Sequence, residues 1–102
     1  MQRTEKIWFN GKFVPWDEAN THVMTHALHY GTAVFEGIRM YKTARGSAIF
    51  QLNQHVDRLF YSAESIGLQI PYTEQQITAA IIETTQINKM VECYIRPIIY
   101  YG

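Results

Sequence analysis

The sequence predicts an α+β fold: a two-layer domain with a mostly antiparallel sheet and two helices on one face. Three observations lead there. Apolar, β-rich runs separated by short turn motifs fill the first half of the chain and return at its C-terminal end. Between them lie two segments with apolar residues spaced three and four apart, the helical period. The strands are grouped apart from the helices rather than alternating with them, which favours antiparallel pairing over a parallel sheet.

Each element has a local reason. Met1 to Lys6 is a polar lead-in. In Ile7-Trp8-Phe9-Asn10-Gly11-Lys12-Phe13-Val14, Asn-Gly divides two β-rich runs, as a type I′ hairpin requires, because both turn positions need φ > 0. Pro15 ends the second strand or puts it at an edge, and Asp17 to Asn20 reads as a turn. Thr25 to Gly31 is too short and mixed for more than a helical turn or loop. Val34 to Lys42 is strand-like, with Gly37 as a bulge or point of close backbone approach. Thr43 to Gly46 turns the chain, and Ser47 to Phe50 returns as a strand.

Gln54 to Ile66 is the first helix. Leu52, Val56, Leu59, Phe60, Ala63 and Ile66 form its stripe, Asn53 its N-cap, and Gly67 with Leu68 its C-terminal stop. The second helix runs from Glu74 to Asn88, behind Pro71 and a Thr73/Gln76 capping box, with Ile77, Ala80, Ile81, Thr84 and Ile87 inward. Val91 to Tyr101 then reads as one long strand whose apolar residues do not alternate cleanly, so both faces are expected to be covered.

Composition narrows the function. The 102 residues suit one domain, and a 47% hydrophobic fraction spread along the chain suits a packed core. Nine basic and nine acidic side chains cancel, leaving no electrostatic footprint for nucleic acid or an acidic membrane surface. A single cysteine, Cys93, cannot form an internal disulfide. With no signal-like h-region and no membrane-length apolar run, a cytoplasmic protein is expected. The chain stops just after a core strand, so a fragment of a longer protein is expected. His22, His26 and His29 lack a carboxylate or cysteine nearby, so no metal site is predicted.

Four features bear on chemistry. Arg58, in His55-Val56-Asp57-Arg58-Leu59, borders the apolar stripe and shares a helix face with His55. A guanidinium there either grips an anion, phosphate suiting its planar fork, or lies over its own helix paired with Glu64 or Asp57; residue statistics favour the second. His29-Tyr30-Gly31-Thr32-Ala33-Val34-Phe35-Glu36-Gly37-Ile38-Arg39 mixes aromatics, glycines and charges as a pocket wall would, although a hairpin with core aromatics competes. Tyr94 and Arg96 are two apart on a strand, hence on one face. Together they suit a carboxylate; a cross-strand polar pair facing solvent is the alternative. Cys93 faces away from Tyr94 and suits a small buried hydrophobe.

These segments, in this order, resemble the branched-chain amino acid aminotransferases, within the fold type IV pyridoxal-phosphate enzymes. The stretch from His29 to Arg39 is the specific part; the opening hairpin, the His55–Leu59 helix and Tyr94-Ile95-Arg96-Pro97 match in kind and spacing. The resemblance implies the small N-terminal domain of such an enzyme, with pyridoxal 5′-phosphate as cofactor. It assigns the cofactor phosphate to Arg58, the substrate side-chain pocket to Tyr30 and Phe35, and substrate carboxylates to Tyr94 and Arg96. Arg39 and Glu36 support the pocket. The implied reaction exchanges amino groups between leucine, isoleucine or valine and 2-oxoglutarate, in a homodimer or higher homo-oligomer.

None of Lys6, Lys12, Lys42 and Lys89 lies in the family's Schiff-base context. That lysine is expected in a larger domain downstream, so no catalytic residue is assigned here and this chain alone is expected to be inactive. A D-amino acid aminotransferase or aminodeoxychorismate lyase of the same fold is the near rival. A non-catalytic module binding a small ligand or a protein is the distant one.

Overall fold

The computed structural model describes residues 3–102, so Met1 and Gln2 of the lead-in lie outside the described residues. Strands β1 (Lys6–Phe9) and β2 (Lys12–Pro15) form the first hairpin. Asn10 (φ 53°) and Gly11 (φ 92°) occupy its two turn positions, as the type I′ reading requires. A 3-10 turn at Trp16–Glu18 and a short helix α1 (His26–Tyr30) follow. Then come β3 (Ala33–Phe35), β4 (Ile38–Thr43), β5 (Gly46–Ile49), α2 (Leu52–Ser65), α3 (Glu74–Ile87), β6 (Cys93–Ile95) and β7 (Ile98–Tyr100).

Among the described residues all the pairings are antiparallel, but they form three separate sheets: β1-β2, β3-β7 and β5-β4-β6. The two long helices pack on one side. Ile38, Val56, Leu59, Ile77 and Ile81 form the buried core, flanked by Trp8, Val34, Ile95 and Ile99. Leu59 is only 1% exposed. Burying one such side chain contributes about 1.5–3 kcal/mol.

Two expectations are corrected here. The C-terminal strand is broken at Arg96-Pro97, because proline has no N–H for the ladder; its halves pair with different strands. Helix α2 starts at Leu52, and Asn53 is not its cap. Gln51 instead turns left-handed (φ 50°), which carries the chain directly from β5 into the helix. The stop at Gly67 holds: Gly67 N–H donates to Glu64 O (3.0 Å) and Leu68 N–H to Ala63 O (2.8 Å), the Schellman pattern. The Thr73/Gln76 capping box is also present.

Candidate active site

Of the predicted site residues, Phe35, Arg39, Arg58, Tyr94 and Arg96 gather where two strands break opposite each other, and Tyr30 does not. β3 pairs with β7 and β4 with β6, and all the pairs, from Ala33↔Tyr100 to Met40↔Cys93, keep one register. The interruption at Glu36-Gly37 therefore faces the one at Arg96-Pro97. One bond spans it: Glu36 N–H donates to Pro97 O (3.1 Å), and the reciprocal bond cannot form because Pro97 has no N–H. The result is one long antiparallel ribbon with a gap in its middle.

Side chains alternate across this ribbon. Val34, Glu36, Ile38 and Met40 turn toward the helices, and Phe35 and Arg39 turn to the open face. Opposite them, Ile98, Arg96 and Tyr94 share that open face. Phe35, Arg96, Tyr94 and Arg39 make a continuous stack. The Arg96 guanidinium lies 4.3 Å from the Phe35 ring centre and 5.3 Å from that of Tyr94, and Arg39 covers Tyr94 at 5.6 Å. Arg96 Nη2 donates to the Tyr94 hydroxyl (2.8 Å). Arg96 Nε is buried with no partner among the described residues. Gly37 leaves room for this group, since a Cβ there would run into the Tyr94 hydroxyl.

Arg58 approaches from the helix side. Its Nε reaches both carboxylate oxygens of Glu36 at 3.0 Å, and its Nη2 reaches Oε1 at 2.7 Å. His55 Nδ1 lies 2.8 Å from the same Oε1. The partner is thus Glu36 on the ribbon, and neither Glu64 nor Asp57. The pair is asymmetric: Glu36 is 6% exposed and Arg58 64%. A buried carboxylate needs compensation. Arg58's hydrogen bonds hold the Glu36 carboxyl below the usual carboxylate range; burial opposes them and is outweighed, and His55 adds to the lowering. Glu36 in turn raises the Arg58 guanidinium. Arg58 Nη1 has no partner among the described residues.

Tyr30 stands in a different aromatic group. Its ring packs on His26 (4.5 Å between centres), which also packs on Tyr101 (4.7 Å). Cys93 is half-buried on the core side, and burial pushes its thiol up. A hollow of about 870 Å³ runs between β1, α3 and the β6–β7 segment; Arg96 and Tyr94 line it, whereas Glu36, His55 and Arg58 do not. Among the described residues no group of three His, Cys, Asp or Glu side chains could hold a metal ion.

Sequence reasoning placed Glu36 in the pocket signature and His55 on Arg58's helix face, and missed that Glu36 binds both of them. One signal was available: Glu36 is the acid among the inward positions of the ribbon, alternating with Val34, Ile38 and Met40.

Residues 33–102, which include the ribbon and both long helices, match the Amino-transferase class IV family, and the chain belongs to it. Within that family it is similar to branched-chain-amino-acid aminotransferases. That of Pseudomonas aeruginosa is 49% identical over 96 residues, covering 94% of this chain and 31% of the relative. A crystal structure of the T.th. branched-chain amino acid aminotransferase complexed with N-(5′-phosphopyridoxyl)-L-glutamate superposes with a TM-score of 0.96 at 48% identity, over 100% of this chain and 35% of that one. The Escherichia coli enzyme superposes with the same TM-score of 0.96 at 40% identity, over 98% and 33%. The domain is thus the small α+β fold of the fold type IV aminotransferases. The chain spans about a third of the length of the curated relatives it matches.

Proposed function

We propose that this chain supplies the phosphate anchor and the substrate-pocket walls of a branched-chain amino acid aminotransferase. The observation that carries this reading is the broken ribbon, which puts Phe35, Arg39, Tyr94 and Arg96 on one open face and Arg58 beside the same gap.

The residues fit pyridoxal 5′-phosphate. Arg58 has an unengaged Nη1 free to donate to phosphate, and the fork geometry suits such an anion. When bound, the cofactor supplies the electron sink for transamination. Arg96 and Arg39 supply positive charge for a substrate carboxylate, including the second one of glutamate. Because Arg96 donates into the Tyr94 hydroxyl, that hydroxyl keeps its own proton to give to the same carboxylate. Phe35 and Tyr30, both exposed here, offer apolar surface for leucine, isoleucine or valine.

None of the four lysines belongs to the cluster, and the relatives are about three times longer. We therefore assign the proton-transferring lysine to another part of the enzyme, so residues 1–102 alone are inactive. Val23, Met24 and Leu28, exposed around α1, suit a pocket completed by further protein in a cytoplasmic homodimer or higher oligomer.

The test uses the complete gene product carrying this domain. It should transfer the amino group of L-leucine to 2-oxoglutarate and leave D-alanine untouched. Arg58→Ala should weaken pyridoxal 5′-phosphate binding by on the order of tenfold or more. Cofactor affinity unchanged by that substitution removes Arg58 from the site.

A further inference from the structure

We infer that Glu36, braced by His55, is the positioning residue that aims Arg58 at the cofactor's phosphate. The inference rests on the reading of Arg58 as phosphate anchor and assigns a role to a residue that does not itself touch the cofactor.

The geometry argues for this division of labour. Glu36 is fixed from several directions. Its backbone N–H is held by Pro97 O, its Oε1 meets His55 Nδ1, and its carboxylate is buried. Arg58 is the opposite, a long side chain 64% exposed on α2. An exposed arginine normally samples many rotamers and loses that freedom when it binds. Here Glu36 takes Nε and Nη2, one whole edge of the fork, and leaves Nη1 unengaged. The guanidinium plane is thereby set before any ligand arrives. Phe35 and Gly37 flank Glu36 in the chain, so the same backbone segment that walls the open face also orients the anchor.

A competing effect has the opposite sign. Glu36 also neutralises charge, and a carboxylate beside an anion site weakens it. If neutralisation dominated, removing the charge would tighten phosphate binding. If positioning dominates, removing it loosens the anchor and weakens binding. Glu36→Gln keeps the shape, can accept through one oxygen only, and carries no charge, so it separates the two.

The experiment measures dissociation constants for pyridoxal 5′-phosphate and for pyridoxal, which lacks the phosphate. It uses the complete gene product, its Glu36→Gln variant and its Arg58→Ala variant. Positioning predicts that Glu36→Gln weakens the phosphate form by on the order of tenfold, as loss of an orienting partner does at other ligand sites, and leaves pyridoxal within about twofold. Equal weakening of both ligands means a merely structural role and overturns the inference, as does tighter binding of the phosphate form. Arg58→Ala separates the two levels: if it does not weaken the phosphate form, the anchor reading itself fails, whatever Glu36 does. Should Glu36→Gln not fold, the unsubstituted protein still decides. The Arg58 Nε–H should give a resolved NMR signal that exchanges with solvent much more slowly than that of Arg45. Exchange at the same rate as Arg45 overturns the inference.

Discussion

The hydroxyl of Tyr94 lies over the bare α-carbon of Gly37, one step diagonally across the ribbon. No larger residue fits beneath it without moving the ring. The obstructing atoms are the far end of a side chain, so the cost to folding is modest, about 1 kcal/mol for mild overpacking. The cost to the site is larger, because the displaced hydroxyl leaves Arg96 Nη2. Gly37→Ala is expected to raise the KM for glutamate severalfold with a small drop in Tm. Adding Tyr94→Phe should recover part of the Tm loss without restoring KM. Steady-state kinetics and thermal melts of both variants check this.

Two carboxylates give acid stability slopes of opposite sign. Glu36 has its folded pKa lowered, chiefly by Arg58. Its contribution is complete above the unfolded value of about 4.3 and is lost as pH falls through the lower folded value. Glu74, exposed on the surface, is raised chiefly by the neighbouring Asp57 carboxylate. Its contribution is present below about 4.3 and is lost as pH rises through the raised value. Urea midpoints measured from pH 3 to 7 should fall less steeply at low pH in Glu36→Gln. In Glu74→Gln they should lose the decline above about pH 4. An unaltered profile in either variant removes that group from the pH dependence.

What was legible in the sequence depended on local chemistry. Asn10-Gly11, Thr73/Gln76 and Gly67-Leu68 each meet a backbone need within a few residues, and each formed as read. The Tyr94–Arg96 pairing followed from strand parity alone. Arg58's partner did not. Glu64 and Asp57 were the local candidates on its helix, and both lost to Glu36, 22 residues away, because only the folded ribbon brings that acid under α2. The broken C-terminal strand was signalled by Pro97, but its apolar neighbours hid the break.

Asn88 at the end of α3 ties the first hairpin to the helical layer. Its Oδ1 accepts from Glu5 N–H (3.1 Å) and Lys6 N–H (2.9 Å), and its Nδ2 donates to Lys6 O (3.0 Å) and Thr84 O (2.9 Å). Alanine there removes all four bonds and leaves half-buried backbone groups to find water. Asn88→Ala should destabilise by about 1–3 kcal/mol, read as a lower urea midpoint. Residues of β1 should exchange their amide protons faster, while those of β4 hold. A uniform change across the domain argues against a local clasp.

Pro97 sets the gap in the ribbon beside the candidate site. Alanine at this position regains an N–H that can donate to Glu36 O and close the ladder, a gain of about 1 kcal/mol. The same change frees the unfolded chain, a loss of about 0.4–1 kcal/mol. The two nearly cancel, so Pro97→Ala is expected to shift Tm by only a few degrees. Arg96 is affected differently. A residue before proline is held in extended backbone conformations, and this restraint helps aim the guanidinium across Phe35 and Tyr94. With the gap closed and the restraint gone, glutamate affinity should fall severalfold while thermal stability barely changes. Unchanged glutamate affinity in a folded Pro97→Ala variant would mean that Arg96 is aimed by its aromatic stack alone and that the break is incidental.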